Sequence, residues 1–399
     1  MPYYIYKVRD KEGKIYIGAL DVDDKKTLRN ILYRSGFFVV KIQPYKEKRG
    51  LFAPKVSLDS LIIFTHQLSS MISGGIPILT CLEILWKQTE NRRLQLVISQ
   101  LKNKLTEGEF LSDALDSFPD VFPEIYRSLI RVAERGGGLA PVLQKLVEYL
   151  TKQRQMRMKV KRASTYPLIV SLVAVSVVIF MLVRVVPVYQ KVFARLHTNL
   201  PGITQFLLHI SNFVKHFWWM GFIVVGFAVF LYKKITSYEK GRYTVDKIKI
   251  KLPALGKIFY IASVGRFVYA LSLLLEGGLP ISHSMDIAKR CCENKVLEKA
   301  LEGVERKIAQ GQALGSSLEE THAFPVMFTQ MVSIGEESGT LIEMLNKVSL
   351  HIDEDLDYKL DRFLTLIEPA LIIVVGVIVA VILLAMYAPI FTLWRSIKG

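Results

Sequence analysis

The chain has 399 residues, of which 51% are hydrophobic and 22% are charged, and its formal net charge is +16. This apolar content, with a mean hydropathy of +0.30, is unusual for a soluble protein and points to a membrane. The three cysteines form no CxxC pair and no even-numbered framework, so the sequence predicts neither a structural zinc site nor a disulfide scaffold.

Residues 1–43 have the pattern of a small separate module. Short strands at YYIYKV, KIYIGAL and FFVVKI, with a helix ending near Gly36 before the third strand, predict an accessory ββαβ domain. Residues 44–56 are rich in proline and basic residues and lack apolar periodicity, which is typical of a solvated linker. The first thirty residues contain charges throughout and no apolar signal-peptide segment, so we expect the N-terminus to stay in the cytoplasm.

Beyond the linker the chain contains an internal duplication. The segment FTHQLSSMISGGIP at 64–77 recurs as FVYALSLLLEGGLP at 267–280, a shift of 203 positions. After a one-residue slip, the AERGG segment that ends at Gly137 returns as GEESG ending at Gly339, a shift of 202. The repeated unit is about a hundred residues long, so the sequence predicts two copies of one domain rather than a solenoid of short repeats.

The helix signals of the first copy predict an all-helical bundle of six helices. Ser57 can cap a helix running to about Ser73, Gly74-Gly75 can form a left-handed turn, and Pro77 suits the first position of the next helix. Further helices are predicted at about 93–106, 111–117, 122–135 and from 139 onward, and we expect the second copy to share this fold.

Three apolar segments are candidates for membrane-spanning helices. Residues 167–188 and 369–394 follow the two copies directly, and 216–232 lies between them, with aromatic residues at one end and lysines at the other. Arg184, inside the first segment, is a functional candidate by default, but snorkelling to the nearby interface is the simpler interpretation.

The positions of basic residues predict the orientation. Segments 152–162 and 233–257 carry six and eight Lys or Arg, whereas 189–215 carries three. By the positive-inside rule, the loop 189–215 and the C-terminus lie outside and both helical copies lie inside. In a bacterial cell the outer side would be the periplasm. The run at 152–162 has few aromatic residues and adjoins a span, which favours contact with anionic lipid and indicates no nucleic acid partner.

The sequence thus predicts an all-α integral membrane protein with two duplicated six-helix cytoplasmic bundles, three transmembrane helices and a small N-terminal α+β domain. Its expected divisions are the N-terminal domain 1–43, the linker 44–56, the first repeat 57–166, the first span 167–188, the loop 189–215, the second span 216–232, the basic connector 233–258, the second repeat 259–368, the third span 369–394 and the periplasmic tail 395–399.

No enzyme signature is present in the sequence. It contains no GxxxxGK[ST] loop, no HExxH, no GxSxG and no Cys/His metal spacing. The segment 335–339 resembles a serine elbow only superficially, because it lacks the spacing and a preceding strand. We therefore expect no catalytic residue, no metal ion and no cofactor.

Two sets of residues are candidates for contacts with partners. The repeated turns either cap helices or form a contact surface, and their residues are Gly74, Gly75, Pro77, Glu134, Gly137, Gly277, Gly278, Pro280, Glu336, Ser338 and Gly339. The helices entering the first and third spans have opposite net charge, +6 at 151–162 and −3 at 353–362. These stalk helices either pair or are solvated separately, and the residues available for pairing are Lys152, Arg154, Arg157, Lys159, Asp353, Glu354, Asp355 and Asp357.

The two glycine-proline segments, the AERGG and GEESG turns, the YP and EP dipeptides before the spans and the YxYKxxDxxGKxxxG pattern at 4–18 resemble the GspF/PilC family over nearly the whole chain. This family comprises inner-membrane platform proteins of type II secretion and type IV pilus systems. The resemblance implies a non-enzymatic, homo-oligomeric platform whose partners are a hexameric cytoplasmic ATPase, pilin-like or pseudopilin subunits and other inner-membrane assembly proteins. The first copy departs from the family's GESSG-like turn, since it lacks the serine.

Other classes of function remain open at this point. A passive scaffold of the same machine is one, a small transporter is another, and a membrane enzyme with an unrecognised site is a third. A transporter would need polar groups or broken helices at the midplane of several spans, which the sequence does not show. The residues do not indicate whether the machine secretes proteins, extends pili or takes up DNA.

Overall fold

The structure is a computed structural model, and it describes residues 3–9, 13, 15–21, 24–34, 36–44, 56–136, 138–188, 202–253 and 255–397. The chain divides into two compact units. The first comprises Met1–Gln155, Arg266–Cys292 and Ala300–Ser349, and the second comprises Met156–Gly265, Glu293–Lys299 and Leu350–Gly399.

The N-terminal segment forms a three-stranded antiparallel sheet with one helix. Its elements are β1 (Tyr3–Arg9), β2 (Ile15–Asp21), α1 (Lys25–Arg34) and β3 (Phe38–Pro44), and β1 lies in the centre of the sheet. Val8, Leu28, Leu32 and Ile42 form its core. Strand β3 includes Pro44, which the sequence pattern assigned to the linker; residues 45–55 lie outside the described part of the chain.

Six helices form each copy of the repeat. In the first copy these are α2 (Leu58–Ser73), α3 (Ile78–Gln88), α4 (Arg92–Thr106), α5 (Leu111–Asp116), α6 (Glu124–Gly136) and α7 (Leu139–Phe180). In the second they are α10 (Leu255–Glu276), α11 (Ile281–Cys291), α12 (Lys295–Ala309), α13 (Leu314–Glu319), α14 (Val326–Glu337) and α15 (Leu341–Ile397). Equivalent helices from α3 to α5 start 203 positions apart, and the later ones start 202 apart, because the loop before α14 is one residue shorter.

Local signals explain where these helices begin and end. Ser57 Oγ accepts a hydrogen bond from Ser60 N (3.0 Å), which caps α2. At the other end Gly75 has a φ of +78°, and the amide of Ile76 donates to Met71 O (3.0 Å), the pattern of a Schellman motif. The turn after α10 repeats these bonds, with Gly278 at a φ of +84°.

The placement of Pro77 at the first helical position was wrong by one residue. Pro77 and its equivalent Pro280 are the N-cap residues of α3 and α11, with extended ψ angles of 139° and 147°. The carbonyl of Pro77 accepts the first helical bond, from Cys81 N (3.0 Å), so the ring, which lacks an N–H, still removes no helical hydrogen bond.

Two further helices lie between the copies: α8 (Gly202–Thr236) and α9 (Glu239–Lys251). The expected second span, 216–232, is therefore part of a longer helix that bends at Phe217. Residues 202–215, predicted as loop, are helical, and 189–201 lie outside the described residues. The expected basic connector contains α9, and the second copy begins at Leu255 rather than 259.

Three helices among the described residues are long and apolar enough to cross a membrane: Pro167–Val188, Leu255–Glu276 and Leu341–Tyr387. The first coincides with the predicted span 167–188, and the third includes most of the predicted span 369–394. In the most apolar 18-residue stretch of each, only 11% and 17% of the residues are buried within the protein. The same share for α10 is 72%, so we assign that helix to the protein core. The apolar side chains of α8 beyond its bend, such as Ile223 and Phe227, are exposed, as expected of a lipid-facing helix.

Helices α7 and α15 run without a break from the two copies into apolar segments, with Pro167 and Pro369 inside them. Beyond Phe180 the first continues as a π-helical turn, Met181–Val185. Near this turn Leu182, Val186, Ile382 and Met386 form a buried cluster. Two hydroxyls complete the packing: Ser211 of α8 donates to Leu182 O, and Thr204 of α8 donates to Ala385 O.

The contact between α13 and α14 generates a prediction about two glycines. A methyl group at Gly315 would overlap Ser333 Oγ and lie 2.7 Å from Ser333 Cα, whereas one at Gly303, inside α12, would meet no atom within 4 Å. We expect Gly315→Ala to lower the free energy of unfolding by about 1–3 kcal/mol through overpacking. Gly303→Ala, the matched control, should raise it by about 1 kcal/mol. Chemical unfolding of the purified chain in detergent measures both, and equal effects would contradict the close packing at Gly315.

Candidate functional site

The two glycine-proline turns of the repeat differ in exposure. Gly74, Gly75 and Pro77 are exposed to solvent. In the second copy Gly278 and Pro280 are exposed, but Gly277 is half-buried, because Leu129 of α6 lies against it. A methyl group at Gly277 would overlap Leu129 Cδ2. The two turns therefore have the same backbone and different surroundings.

The two repeated glutamates cap short helices. Glu134 accepts hydrogen bonds from the amides of Leu111 (2.6 Å) and Ser112 (3.0 Å) and from the Ser112 hydroxyl (2.8 Å), at the start of α5. Glu336 does the same in the second copy, accepting from the amides of Leu314 (2.8 Å) and Gly315 (3.0 Å). A carboxylate at a helix N-terminus satisfies free amides and complements the helix dipole. Each glutamate thus ties a short helix to the helix that follows it, α5 to α6 and α13 to α14.

The remaining turn residues lie just after these glutamates. Ser338 Oγ donates to Ile334 O (2.7 Å), and Gly339 has a φ of +71°, so both end α14. Both are exposed. The position of Ser338 is held by Gly136 in the first copy, and Gly137 lies outside the described residues. A surface depression lined by residues that include Leu275, Ile281 and Gly339 brings the second copy's two turns together.

Among the side chains that the structure describes, the stalk helices meet through one ion pair of the expected kind. Lys159 of α7 lies 2.6 Å from Asp357 of α15. Lys152 donates instead to Ser349 Oγ (3.1 Å). The other predicted residues have different neighbours: Arg154 pairs with Asp59 (2.5 Å), Arg157 pairs with Glu293 (2.8 Å), Asp355 pairs with Lys359 on its own helix, Asp353 is half-buried and Glu354 is exposed.

The two copies also contact each other above the stalks. The rings of Tyr149 and Tyr269 stack at 5.8 Å, and Lys152 Nζ lies 4.1 Å from the centre of the Tyr269 ring. Lys145 of α7 pairs with Glu276 of α10 (3.1 Å). Helix α7 of the first copy thus packs along α10 of the second.

A second ion-pair group joins α6 to α11. Arg290 lies 2.9 Å from Glu124 and 2.8 Å from Asp286. Burial acts to raise the pKa of Asp286, but hydrogen bonds from Lys289 and Arg290 outweigh it and hold the pKa below its usual value. Asp286 therefore stays ionised at neutral pH and orients Arg290 toward the first copy.

The sequence analysis did not predict the contact of α10 with the first copy, although the composition of α10 indicates that this helix is buried. Helix α10 is apolar on nearly all sides, which is typical of a buried helix. Tyr269 and Leu273 occupy the positions that His66 and Ser70 occupy in α2. Comparing the two copies position by position indicates that α10 buries a face that α2 leaves exposed.

No group of three His, Cys, Asp or Glu side chains able to hold a metal ion occurs among the described residues.

These features define a class: a membrane protein built from two copies of one helical domain, each continued by a long helix into an apolar segment. The family model described as type II secretion system (T2SS), protein F, matches residues 64–187 and 267–389, which contain most of each copy and most of the apolar segment that follows it. The chain belongs to this family, the GspF/PilC family.

Similar proteins cover the full length. A type IV pilus assembly protein PilC of Thermus thermophilus is 34% identical, and the alignment covers 98% of each chain. A type IV pilus assembly protein PilC of Myxococcus xanthus is 32% identical over 99% of this chain and 96% of the relative. A type II secretion system protein F of Vibrio cholerae is 30% identical over 98% of both chains.

The glutamate caps lead to a stability prediction. Replacing Glu134 or Glu336 with alanine leaves two backbone amides without a partner, so each change should lower the free energy of unfolding by about 1–3 kcal/mol. Glu337→Ala, next to Glu336 but exposed, is the matched control and should have little effect. Chemical unfolding of the full chain in detergent measures this. If Glu336→Ala and Glu337→Ala were indistinguishable, the capping role would be refuted.

The stalk ion pair leads to a double-mutant prediction. Lys159→Asp or Asp357→Lys places like charges together and should destabilise the chain, while the double exchange restores attraction. The side chains are 40% and 48% exposed, so we expect a coupling energy of only about 0.2–1 kcal/mol. The cycle is measured by unfolding at low and high salt, and the coupling should weaken at high salt. Zero coupling at low salt would show that the pair does not hold the stalks together.

Proposed function

We propose that the chain is a non-enzymatic inner-membrane platform that couples a hexameric cytoplasmic ATPase to the assembly of pilin-like subunits. The subunits would form a type IV pilus or a type II secretion pseudopilus, since the relatives' names include pilus assembly and secretion proteins. The observation that carries the proposal is the pair of unbroken helices, Leu139–Phe180 and Leu341–Ile397, that join the helical copies to apolar segments.

A stiff helix is a suitable element for this role. A continuous helix transmits displacement or rotation along its axis, whereas a flexible linker does not. Two such helices leave the cytoplasmic part, one from each copy of the repeat. A partner that pushes or turns the copies would therefore displace both membrane segments.

The arrangement across the membrane belongs to this proposal. Both helical copies and the N-terminal domain face the cytoplasm, the segment 189–215 and the C-terminal tail face the periplasm, and the expected spans are 167–188, 216–232 and 369–394. The distribution of basic residues supports this orientation. The platform associates with itself, with other inner-membrane assembly proteins and with lipid.

The test combines partner capture with a broken stalk. Photo-crosslinking residues at Arg135 and Glu337, exposed equivalent positions beside the glutamate caps, should capture the ATPase in membranes. Pilin-like subunits should be captured from Leu172, which is 65% exposed in the apolar part of α7. Capture of neither partner in a strain with an assembled machine would contradict the platform proposal.

A second step separates a moving platform from a passive scaffold. Two glycines inserted after Arg362 interrupt α15 between the cytoplasmic copy and its apolar segment. If the platform transmits movement, subunit assembly should fall at least tenfold while ATPase capture persists. Two alanines inserted at the same place are the matched control for added length. Normal assembly with the glycine insertion would favour the scaffold.

A further inference from the structure

The contact between the two copies uses different surfaces on each. The first copy contributes α6, where Ile125 and Leu129 are 2% and 1% exposed. The second copy contributes the turn after α10, where Gly277 permits close approach of Leu129. Such a contact is heterologous, because neither partner presents the surface that the other presents. It therefore leaves one unused copy of each surface on the chain.

The unused helix surface is on α14 of the second copy. The residues equivalent to Ile125 and Leu129 are Met327 and Met331, and Met327 is 48% exposed. One turn further along the same helix, Ile334 is 57% exposed. These positions, at spacings of four and three, form an apolar stripe on one side of the helix. We call Met327, Met331 and Ile334 the α14 stripe.

The unused turn is the one after α2 in the first copy. Gly74, the equivalent of Gly277, has a φ of −79°, which any residue adopts. A methyl group there would meet only the carbonyl oxygens of Met71 and Ser70, at ordinary distances of 3.4 and 3.5 Å. Among the described residues, no contact favours glycine at this position. At the equivalent Gly277, a methyl group would overlap the Leu129 side chain of α6.

We propose that a second copy of this chain docks the turn at Gly74 against the α14 stripe, so that the contact between chains repeats the contact within the chain. The repeat itself argues for this occupant, because the covered α6 surface shows what an equivalent turn does there. The resulting contact is head-to-tail, so each chain has one free end of each kind and association continues until a ring closes. The inference deepens the self-association proposed above and does not depend on ATPase coupling.

Crosslinking of equivalent surface pairs tests the geometry in membranes. Within the chain, Lys145 and Glu276 lie 3.1 Å apart, and their equivalents are Lys347 and Ser73, both exposed. With a short bismaleimide, Lys145→Cys with Glu276→Cys should crosslink within one chain. Ser73→Cys with Lys347→Cys should give a ladder of dimers and higher multiples. The chain with only its natural cysteines gives the background.

Each other outcome overturns the proposal. A dimer from Ser73→Cys alone or from Lys347→Cys alone would indicate an isologous contact. Crosslinking of the double variant to a protein of different mass would assign the surface to another partner. Absence of the ladder, with the intrachain control positive, would refute the contact. Because these readouts need neither ATPase nor pilin, failure of the proposed function leaves them unchanged.

Substitutions test the same surfaces in the purified full chain. Ile334→Glu should weaken self-association at least tenfold in analytical ultracentrifugation, while Tyr33→Glu, an equally exposed apolar residue of α1, should not. Gly74→Ala should weaken association and leave the unfolding midpoint unchanged. Gly277→Ala, its equivalent, should lower that midpoint, because the methyl group overlaps Leu129. Unchanged association in both Ile334→Glu and Gly74→Ala would overturn the proposal.

Discussion

The burial of α10 is the constraint on which the packing of the two copies depends. One face of this helix, with Phe267 and Leu271, lies in the core of its own copy. The opposite face receives Tyr149, Lys145 and Leu129 of the other copy. Both faces of α10 are removed from water, and each contributes hydrophobic stabilisation of roughly 25 cal/mol per Å² of buried apolar surface. The two copies are therefore held together by a helix that belongs to one of them.

The duplication gives both copies the same helical fold, and differences at a few side chains determine which helix faces are in contact. Helix α2 keeps His66 and Ser70 where α10 has Tyr269 and Leu273, so the first copy has a polar face where the second has an apolar one. At two equivalent positions both copies have apolar side chains, Ile125 and Leu129 in α6 and Met327 and Met331 in α14. Their exposure differs, since Ile125 is 2% exposed and Met327 is 48% exposed. The glutamate caps are unchanged in both, because they stabilise each copy separately.

Much of the helical repeat could be predicted because its signals are local. Glycine, proline and N-cap residues act within a few positions of themselves, and the predicted starts of α4 to α6 lie within about two residues of those observed. The one-residue error at Pro77 arose because a proline fits both the cap and the first turn. The helix at 202–215 was predicted as a loop because it lies between two predicted spans, although seven of its fourteen residues are hydrophobic.

The contacts of the candidate residues could not be predicted, because they depend on tertiary pairing. Glu134 and Glu336 lie more than twenty positions from the amides that they cap, and no local pattern joins such groups. The opposite net charges of the stalk helices indicated that the helices attract each other, but not which of their residues form ion pairs. Of the four basic candidates, all of them described, Lys159 pairs with an acid of the other stalk, while Arg154 and Arg157 pair with acids on other elements.

The hydroxyls of Ser211 and Thr204 have a consequence for how the membrane part responds to force. Each hydroxyl joins α8 to a carbonyl of a different long helix, one on α7 at its π-helical turn and one on α15. Both residues are buried, with Ser211 1% and Thr204 7% exposed, so little water competes for these bonds. Helix α8 is therefore bonded to both long helices. A displacement of either long helix is resisted by α8 and, through it, by the other.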